Sequence, residues 1–344
     1  MGQVSADAQD AGYRCLWDVL GRFGLGTVLA AREVAEGLMN RNWAVQAGSG
    51  QQVFVKQVLD ADRTQAARQH EATRALAARG LPVAAPLAMP DGGTLLELDG
   101  GLYAVYPWIC GEHVPGTEMT GAQAAELGVT LARVHQGLAA VMDPAEKAMR
   151  MPVADPARAR AAISRYSAII AGKAARDDFD GYAAGQLAER RALLEAAWHD
   201  MPGADDWWMP AGWAHGDFHD LNVLWHGGGI AAVVDFDRLA PRPYAFELVR
   251  SATLTFCYGD ERGLAADLVA AFTAGYRAIM PLADEQVEFA ADRLWWERVC
   301  DFWQLKRHYI AGDGSCDHLF RSASALLWWW TGHREQVTRS LTSR

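Results

Sequence analysis

Hydrophobic and polar residues alternate along the first third of the chain, and this alternation predicts β-strands. Within residues 28–58, the segments "NWAVQAG" and "QQVFVKQVL" flank the turn-forming residues "GSG" and predict a hairpin. The segments "TLLEL" and "LYAVYPW" around "DGG" predict a second hairpin. Between the hairpins, "DRTQAARQHEATRALAARG" predicts a helix with its N-cap at Asp62 and its end at Gly80.

From Thr120 onward, the apolar residues recur at the three- and four-residue spacing of helices. A charged, alanine-rich segment at residues 156–200 and the chain beyond Pro243 are also predicted to be helical. Only residues 215–237 in this half have a strand-like pattern.

The change of pattern predicts two lobes. A strand-rich lobe spans residues 1–106, a linker spans 107–112, and a helix-rich lobe spans 113–344. A chain of 344 residues is long enough to build two hydrophobic cores. Its composition, 51% hydrophobic and 22% charged, is typical of globular proteins.

Charge and cysteine content narrow the function class. The net charge of -10 argues against a nucleic-acid-binding protein, which needs an excess of Lys and Arg, and mildly favours cationic or neutral partners. The five cysteines are scattered without a C-x-x-C pair, which predicts free thiols in a reducing compartment. The N-terminus has no signal-peptide pattern, and no apolar run approaches the roughly 18 residues that span a bilayer. We therefore expect a cytoplasmic protein without a membrane partner.

The segment "HGDFHDLNVLW", residues 215–225, is dense in polar side chains although apolar segments flank it. If "NVLW" and "IAAVVDF" pair as a hairpin around "HGGG", Asn222 and Asp235 both lie at its open end, beside Asp217. Carboxylate and amide oxygens suit magnesium that bridges phosphates, and a further carboxylate can accept a proton from a hydroxyl. Alternatively, these residues are ordinary caps and turns. A zinc site at His215 and His219 is a weaker alternative, because no third ligand is spaced near them.

Lys56 and Glu71 supply a second part of the pattern. Lys56 ends the apolar strand "VFVK", and Glu71 lies in the middle of the following predicted helix. Kinases bind phosphates with a strand lysine that a helix glutamate holds in place. Alone, the two residues are typical of surface charges; in this order before the polar segment, they favour a phosphate clamp.

These motifs together resemble the aminoglycoside phosphotransferase/choline kinase superfamily, which comprises small-molecule kinases. The family pattern H-x-D-x-x-x-x-N followed by D-x-D matches His215, Asp217, Asn222, Asp235 and Asp237. The resemblance implies an α+β, protein-kinase-like fold of two lobes. It has a small N-terminal antiparallel-sheet lobe with one helix and a larger, mainly helical C-terminal lobe.

The resemblance also implies roles for these residues. Asp217 is the expected catalytic base, Asn222 and Asp235 are the expected magnesium ligands, and His215 and Asp237 are expected to support the loop. "EGLMNRNWAV" resembles the nucleotide-positioning loop of the family, most closely in the bacterial homoserine kinase variant. The expected nucleotide-binding residues beyond the clamp are Asn40, Asn42 and, in the linker, Tyr106, Trp108, Ile109 and Cys110.

The implied activity is transfer of a phosphoryl group from ATP or GTP to a hydroxyl of a small molecule, with Mg²⁺ as cofactor. A P-loop motif is absent, and "GSGQQV" does not match the glycine-rich loop of protein kinases. The long C-terminal segment with many aromatic residues favours an antibiotic-type acceptor, either aminoglycoside-like or nucleoside-like. The alternatives are a metabolic kinase of the homoserine or choline type and a nucleotide-binding pseudokinase.

Residues 293–309 predict one helix that contributes to the acceptor site. Carboxylates beside aromatic faces suit an ammonium group, and four residues fit this description: Trp296, Glu297, Asp301 and Trp303. The alternatives are a core face for the tryptophans and surface ion pairs with Arg293 and Arg298 for the acids.

Overall fold

The structure is a computed structural model that describes residues 11–34, 40–150, 153–197 and 208–343, with side chains from residue 14 onward. The chain divides into two compact units. The first comprises Met1–Val114, Arg133–Ala145 and Trp213–Ala240, and the second comprises Pro115–Ala132, Glu146–Gly212 and Pro241–Arg344. The lobe boundaries at residues 106 and 113 remain a prediction.

The first unit is built on a five-stranded antiparallel sheet of order β1-β2-β3-β5-β4. The strands are β1 (Val28–Val34), β2 (Arg41–Ala47), β3 (Gln52–Val58), β4 (Leu96–Leu98) and β5 (Gly101–Pro107). Its helices are α1 (Ala11–Arg22) and α2 (Arg63–Ala78), and a separate hairpin pairs β8 (Val223–His226) with β9 (Gly229–Val233). Both predicted hairpins of the sheet are confirmed, as is the Asp62 N-cap of α2, which accepts the backbone N–H of Gln65.

The two faces of the sheet carry separate cores because side chains alternate along each strand. Odd-numbered positions of β3 and β5, such as Val55 and Val105, pack with Leu16 and Leu20 of α1. Even-numbered positions, such as Ala104, pack on the α2 side, and Lys56 shares that parity. Helix α1, which the alternation pattern does not predict, contributes about 1.5–3 kcal/mol for each large apolar side chain that it buries.

The second unit is mainly helical. Its helices are α4 (Pro156–Ala171), α5 (Asp178–Ala196), α6 (Tyr244–Thr255), α7 (Ala266–Ile279), α8 (Asp284–Cys300), α9 (Trp303–Ala311), α10 (Asp317–Gly332) and α11 (Arg334–Thr342), while α3 (Gly121–Val141) contributes to both units. Helices α3 and α7 approach closely through Gly128 and Gly275. An added Cβ at these glycines would lie 2.0 Å from Phe272 O and 2.2 Å from Ala125 O.

Three strands of the second half form a further sheet of order β10-β7-β6. They are β6 (Ala148–Arg150), β7 (Trp208–Ala214) and β10 (Ala240–Pro243). The prediction that only residues 215–237 are strand-like in this half is therefore wrong. The strand pattern is masked by Pro and Gly within β7 and by the two prolines of β10, because these residues normally weaken or end strands.

The single helix predicted over residues 293–309 is also wrong, since α8 ends at Cys300 and α9 begins at Trp303. Asp301 has extended backbone angles, and its carboxylate accepts the backbone N–H of Trp303 at 3.1 Å. An aspartate that bonds to backbone two residues ahead competes with the helical pattern. Arg190 stabilises the break, because its Nη1 donates to the carbonyl oxygens of Arg298 and Asp301.

The predicted combination of a small antiparallel-sheet lobe and a larger helical lobe is confirmed. Among the described residues, no helix is both long and apolar enough to cross a membrane.

Candidate active site

The predicted β8–β9 hairpin is formed, with a register shift between Leu224 and Trp225. Val223 pairs with Val233, Leu224 pairs with Ala232, and the backbone N–H of Val234 donates to the carbonyl of Asn222 at 2.9 Å. Asn222 and Asp235 consequently lie at the open end of the hairpin, next to the loop that carries Asp217.

Two buried residues, His215 and Gly216, fix the conformation of this loop. His215 is fully buried, its Nε2 lies 2.9 Å from the carbonyl oxygen of Val234, and its Nδ1 accepts the backbone N–H of Asp217 at 3.2 Å. Gly216 has φ +86°, and a Cβ there would lie 2.2 Å from the carbonyl oxygen of Arg238. The position therefore requires glycine for both its conformation and its space, and the loop carries Asp217 on a rigid base.

His219 is a site residue that the sequence motif does not identify. Its Nε2 lies 3.8 Å from Asp217 Oδ2, and its Nδ1 lies 3.6 Å from Asp220 Oδ1. Burial alone would lower the pKa of His219, but the two neighbouring carboxylates outweigh it and raise that pKa to about 9. The two acids therefore favour the protonated form of His219, which lies between them.

The zinc alternative has no geometric support in the described part of the chain. There, no group of three or more His, Cys, Asp or Glu side chains converges as a metal site. His215 uses both ring nitrogens within the loop, which leaves none for a metal.

Lys56 binds both carboxylates of the D-x-D motif. Its Nζ lies 3.1 Å from Asp235 Oδ1 and 2.7 Å from both oxygens of Asp237. Burial acts to lower the pKa of Lys56, but the two carboxylates outweigh it and raise that pKa well above its usual value. The ammonium group is thus fully charged although only 8% of the residue is exposed.

Asp235 and Asp237 differ in orientation. The Asp237 side chain is 17% exposed, and its Oδ2 also accepts Asn40 Nδ2 at 2.6 Å. The Asp235 side chain is 43% exposed, and its backbone is left-handed with φ 62° and ψ 63°. Non-glycine residues in this region cost energy and are found at sites where the side chain must be aimed. Asp237 therefore anchors Lys56, whereas Asp235 presents an oxygen outward.

The predicted ion pair between Lys56 and Glu71 is wrong. Among the described residues, the carboxylate partners of Lys56 are Asp235 and Asp237, and Glu71 is exposed on α2. The buried face of α2 instead presents Gln69, whose Nε2 donates to the carbonyl oxygen of Asp237 at 3.0 Å. Position 71 falls off this face because successive helical residues are rotated by about 100°.

We expect Glu71→Gln to change kcat and the KM for ATP by less than about twofold, because Glu71 does not pair with Lys56. Asp237→Asn should raise the KM for ATP by at least about tenfold, because it removes the buried counter-ion of Lys56, and such losses cost several kcal/mol. Steady-state kinetics with varied ATP measures both. A larger effect for Glu71→Gln than for Asp237→Asn would contradict this assignment.

The predicted nucleotide-binding residues Tyr106, Trp108, Ile109 and Cys110 belong to the first unit. The hydroxyl of Tyr106 lies 3.0 Å from His70 Nε2, and burial raises the pKa of Tyr106 to about 12, so the phenol stays protonated. The backbone N–H of Trp108 donates to Gln52 at 3.2 Å, and in the described chain the backbones of Ile109 and Cys110 bond to no other residue. Their N–H and C=O groups are therefore available to a ligand.

The predicted nucleotide-positioning loop is described only in part. Asn40 links strands, because its Oδ1 accepts the backbone N–H of Leu59 while its Nδ2 binds Asp237. Asn42 is buried on β2 directly opposite Lys56 on β3. Residues 36–39 of this loop lie outside the described residues.

The predicted acceptor residues lie in the second unit. Trp296 is fully buried and its Nε1 donates to the Ala154 carbonyl at 2.8 Å, so its predicted role in acceptor binding is wrong. Trp303 is 42% exposed, and both Glu297 and Asp301 are exposed. Partial burial raises the pKa of both carboxyls, and for Glu297 the charge of Asp301 raises it further.

Comparisons with known proteins find relatives that match this chain over most of its length. A homoserine kinase of Methylobacterium radiotolerans is 28% identical over 294 residues, which cover 84% of this chain and 82% of the relative. A homoserine kinase of Gluconobacter oxydans is 26% identical and covers 78% of each chain.

Two solved structures are similar in fold and confirm the predicted protein-kinase-like architecture. The first is spectinomycin phosphotransferase in complex with ADP and spectinomycin, with a TM-score of 0.63 and 16% identity; the match covers 91% of this chain and 93% of the other. The second is a microcompartment-associated aminopropanol kinase, with a TM-score of 0.61 and 15% identity; the match covers 95% of this chain and 99% of the other. The model of the phosphotransferase enzyme family matches residues 30–282, which is more than half of the chain. The predicted enzyme class, a small-molecule kinase, is confirmed with it. By this match, the chain belongs to the phosphotransferase enzyme family.

Proposed function

We propose that this protein transfers a phosphoryl group from ATP or GTP to the hydroxyl of a small metabolic amino alcohol. The observation that carries the proposal is the cluster around Lys56. A buried, charged lysine binds Asp235 and Asp237 across 179 and 181 residues of sequence, at the open end of the hairpin that also bears Asn222.

The phosphates of the nucleotide would bind to the charged Lys56, and its base would bind to the backbone of the linker. Lys56 is the group that suits phosphate oxygens, while Asp237 and Asn40 keep it in position. The backbone groups of Ile109 and Cys110 suit the hydrogen-bonding edge of adenine or guanine. Reciprocal hydrogen bonds between Glu112 and Trp225, at 3.0 and 2.9 Å, fix this linker against β8.

Asn222 and Asp235 fit a magnesium ion. The Nδ2 of Asn222 donates to the Asp217 carbonyl at 2.8 Å, which leaves Oδ1 as the amide atom for a cation. The outward carboxylate of Asp235 supplies the second hard oxygen ligand. When bound, the ion would neutralise charge on the phosphates of the nucleotide.

Asp217 is the group that receives the acceptor hydroxyl. Its carboxylate is 31% exposed on the rigid loop, and the cationic His219 lies on one side of it. The carboxylate would orient the hydroxyl and accept its proton as the phosphoryl group is transferred. His219 would keep the carboxylate ionised and hold its direction.

The amino-alcohol class follows from the relatives that match over most of their length. Eight relatives at 24–28% identity are named homoserine kinase. The solved structures include kinases of antibiotics, aminopropanol and choline, so their shared fold does not select an acceptor. An antibiotic-type acceptor therefore has weaker support than a metabolic one.

The test measures ADP release with Mg²⁺, ATP and one of four acceptors: L-homoserine, 3-amino-1-propanol, choline or spectinomycin. We expect turnover with at least one of the first three and none above background with spectinomycin. Asp217→Asn serves as the negative control. Turnover with spectinomycin alone would favour the antibiotic class, and magnesium-dependent ATP binding without any ADP release would favour a pseudokinase.

Glu297 and Asp301 are proposed to bind the amine of the acceptor. Glu297→Gln and Asp301→Asn should each raise the acceptor KM by roughly 10- to 150-fold, because a hydrogen bond to a charged group is worth about 1.5–3 kcal/mol. The KM for ATP should stay within twofold. Glu288→Gln is the matched control, since Glu288 is an exposed acid on the same helix. Equal effects on both substrates would exclude an acceptor-specific role.

A further inference from the structure

Phe236–Arg238 forms a short helical turn, the D-x-D turn, directly after Asp235. Asp235 has the left-handed conformation, and its side chain does not cap the turn. A residue other than glycine keeps this costly conformation only when the surrounding contacts determine it. The contacts of the D-x-D turn therefore decide where the Asp235 carboxylate points.

The β8–β9 hairpin and His215 hold one side of the D-x-D turn. The backbone N–H of Val234 donates to the carbonyl of Asn222 at 2.9 Å, and His215 Nε2 lies 2.9 Å from the carbonyl oxygen of Val234. The ring of His215 also packs against that of Phe236, with the ring centres 4.4 Å apart. These contacts fix the chain on the hairpin side of the turn.

Helix α2 and the residues before it hold the other side of the D-x-D turn. Gln69 is only 9% exposed, and its Nε2 donates to the carbonyl oxygen of Asp237 at 3.0 Å. Arg238 pairs with Asp60, just before the N-cap of α2, at 3.0 Å. The Arg238 side chain is 50% exposed, so this ion pair contributes little. Gln69 therefore makes the buried link between α2 and the turn.

This link requires a neutral hydrogen-bond donor. A carbonyl oxygen can only accept, so a carboxylate at position 69 would have nothing to donate and would add a negative charge near Asp235 and Asp237. The amide of Gln69 donates and brings no charge that competes for Lys56. The link also acts on the main chain, whereas the side chain of Asp237 has separate partners in Lys56 and Asn40.

We propose that Gln69 is a positioning residue for the magnesium ligand Asp235. By holding the Asp237 carbonyl, it keeps the D-x-D turn in the conformation that aims the Asp235 carboxylate outward. Helix α2 thus serves the metal site through a neutral contact with the main chain, and not through an ion pair with Lys56. This inference rests on the proposed function, in which Asp235 is a metal ligand.

The test measures ATP affinity by calorimetric titration of the full chain, in EDTA and at several Mg²⁺ concentrations. Gln69→Met has a side chain of nearly the same length without a donor. In EDTA, its dissociation constant for ATP should stay within about twofold, because Lys56 keeps its contacts with the Asp237 side chain. At limiting Mg²⁺, its gain in ATP affinity should be at least about fivefold smaller, because the turn loses a buried hydrogen bond. High Mg²⁺ should restore the affinity, because the ligand is misdirected and not lost.

Thr73→Val is the matched control. Thr73 lies one turn further along the same buried face of α2, and its hydroxyl donates to the carbonyls of Gln69 and His70 within the helix. The change removes a buried polar group that serves the helix itself. Both affinities should stay within about twofold of the unaltered protein, even if the melting temperature falls.

Three results would overturn the inference. The first is equal weakening of Gln69→Met with and without Mg²⁺, because Gln69 would then support phosphate binding or the fold in general. The second is an unchanged magnesium-dependent gain in Gln69→Met, and the third is the lack of any such gain in the unaltered protein. If Gln69→Met does not fold, Gln69→Asn decides in the same way, because its amide is one carbon shorter and falls short of the Asp237 carbonyl.

The proposed function fails on a different measurement. Absence of ADP release with all four acceptors would overturn phosphoryl transfer. A magnesium-dependent gain in ATP affinity that is reduced in Gln69→Met and kept in Thr73→Val would still support the positioning role of Gln69.

Discussion

Asp217→Asn is expected to lower kcat by roughly 10²–10⁴-fold, the range for the loss of a general base. The amide has nearly the same shape as the carboxylate, and the backbone N–H of Asp217 stays bound to His215. The loop should therefore keep its conformation. The dissociation constant for Mg-ATP should stay within about twofold, because the proposed phosphate-binding groups are Lys56 and its partners.

Asp220→Asn is the matched control for this prediction. It removes a carboxylate from the same loop and on the other side of His219, at 3.6 Å from its Nδ1. Its effect on kcat should stay below about fivefold, because in the proposed mechanism Asp217 alone receives the acceptor hydroxyl. Single-turnover measurements with saturating ATP separate chemistry from product release. Similar losses in both variants would mean that the loop needs negative charge in general and that Asp217 is not the base.

The local parts of this site are predictable from the sequence. The H-x-D-x-x-x-x-N and D-x-D segments are joined by a short hairpin, so turn position and two-residue periodicity fix which residues meet at its open end. The observed pairing of Val223 with Val233 agrees with that expectation. The same reasoning predicts the hairpins of the sheet and the N-cap of α2, since the turn residues and capping residues that indicate them lie within a few residues of each other in the sequence.

Long-range choices are not predictable in this way. Two kinds of acidic partner are available to Lys56: Glu71 on α2, and Asp235 after β9, 179 residues away. No local sequence signal selects between them. The helix rotation that exposes Glu71 and turns Gln69 inward depends on packing against the rest of the unit. Likewise, helical periodicity runs through residues 293–309, and only the contacts of Asp301 and Arg190 reveal the break.

Asp235→Asn is expected to reduce turnover by at least about 10³-fold, since loss of a metal ligand forfeits several kcal/mol of charge stabilisation in the transition state. Asparagine is the informative substitution because, like aspartate, it tolerates the left-handed backbone that the residue adopts here. Alanine would add backbone strain to the loss of the ligand.

Nucleotide binding then distinguishes the two acids of the D-x-D motif. In the unaltered protein, ATP affinity should increase with added Mg²⁺, and Asp235→Asn should lose this increase while it retains the affinity measured without metal. The retained part reflects Lys56, which keeps both of its 2.7 Å contacts with Asp237. Asp237→Asn should instead weaken ATP binding with and without Mg²⁺, because it releases Lys56 and Asn40 together. Calorimetric titration of the unaltered protein and both variants with ATP, in EDTA or in excess Mg²⁺, measures the six cases. If Asp235→Asn keeps the magnesium-dependent increase, Asp235 is not a metal ligand, and its contact with Lys56 is its only role.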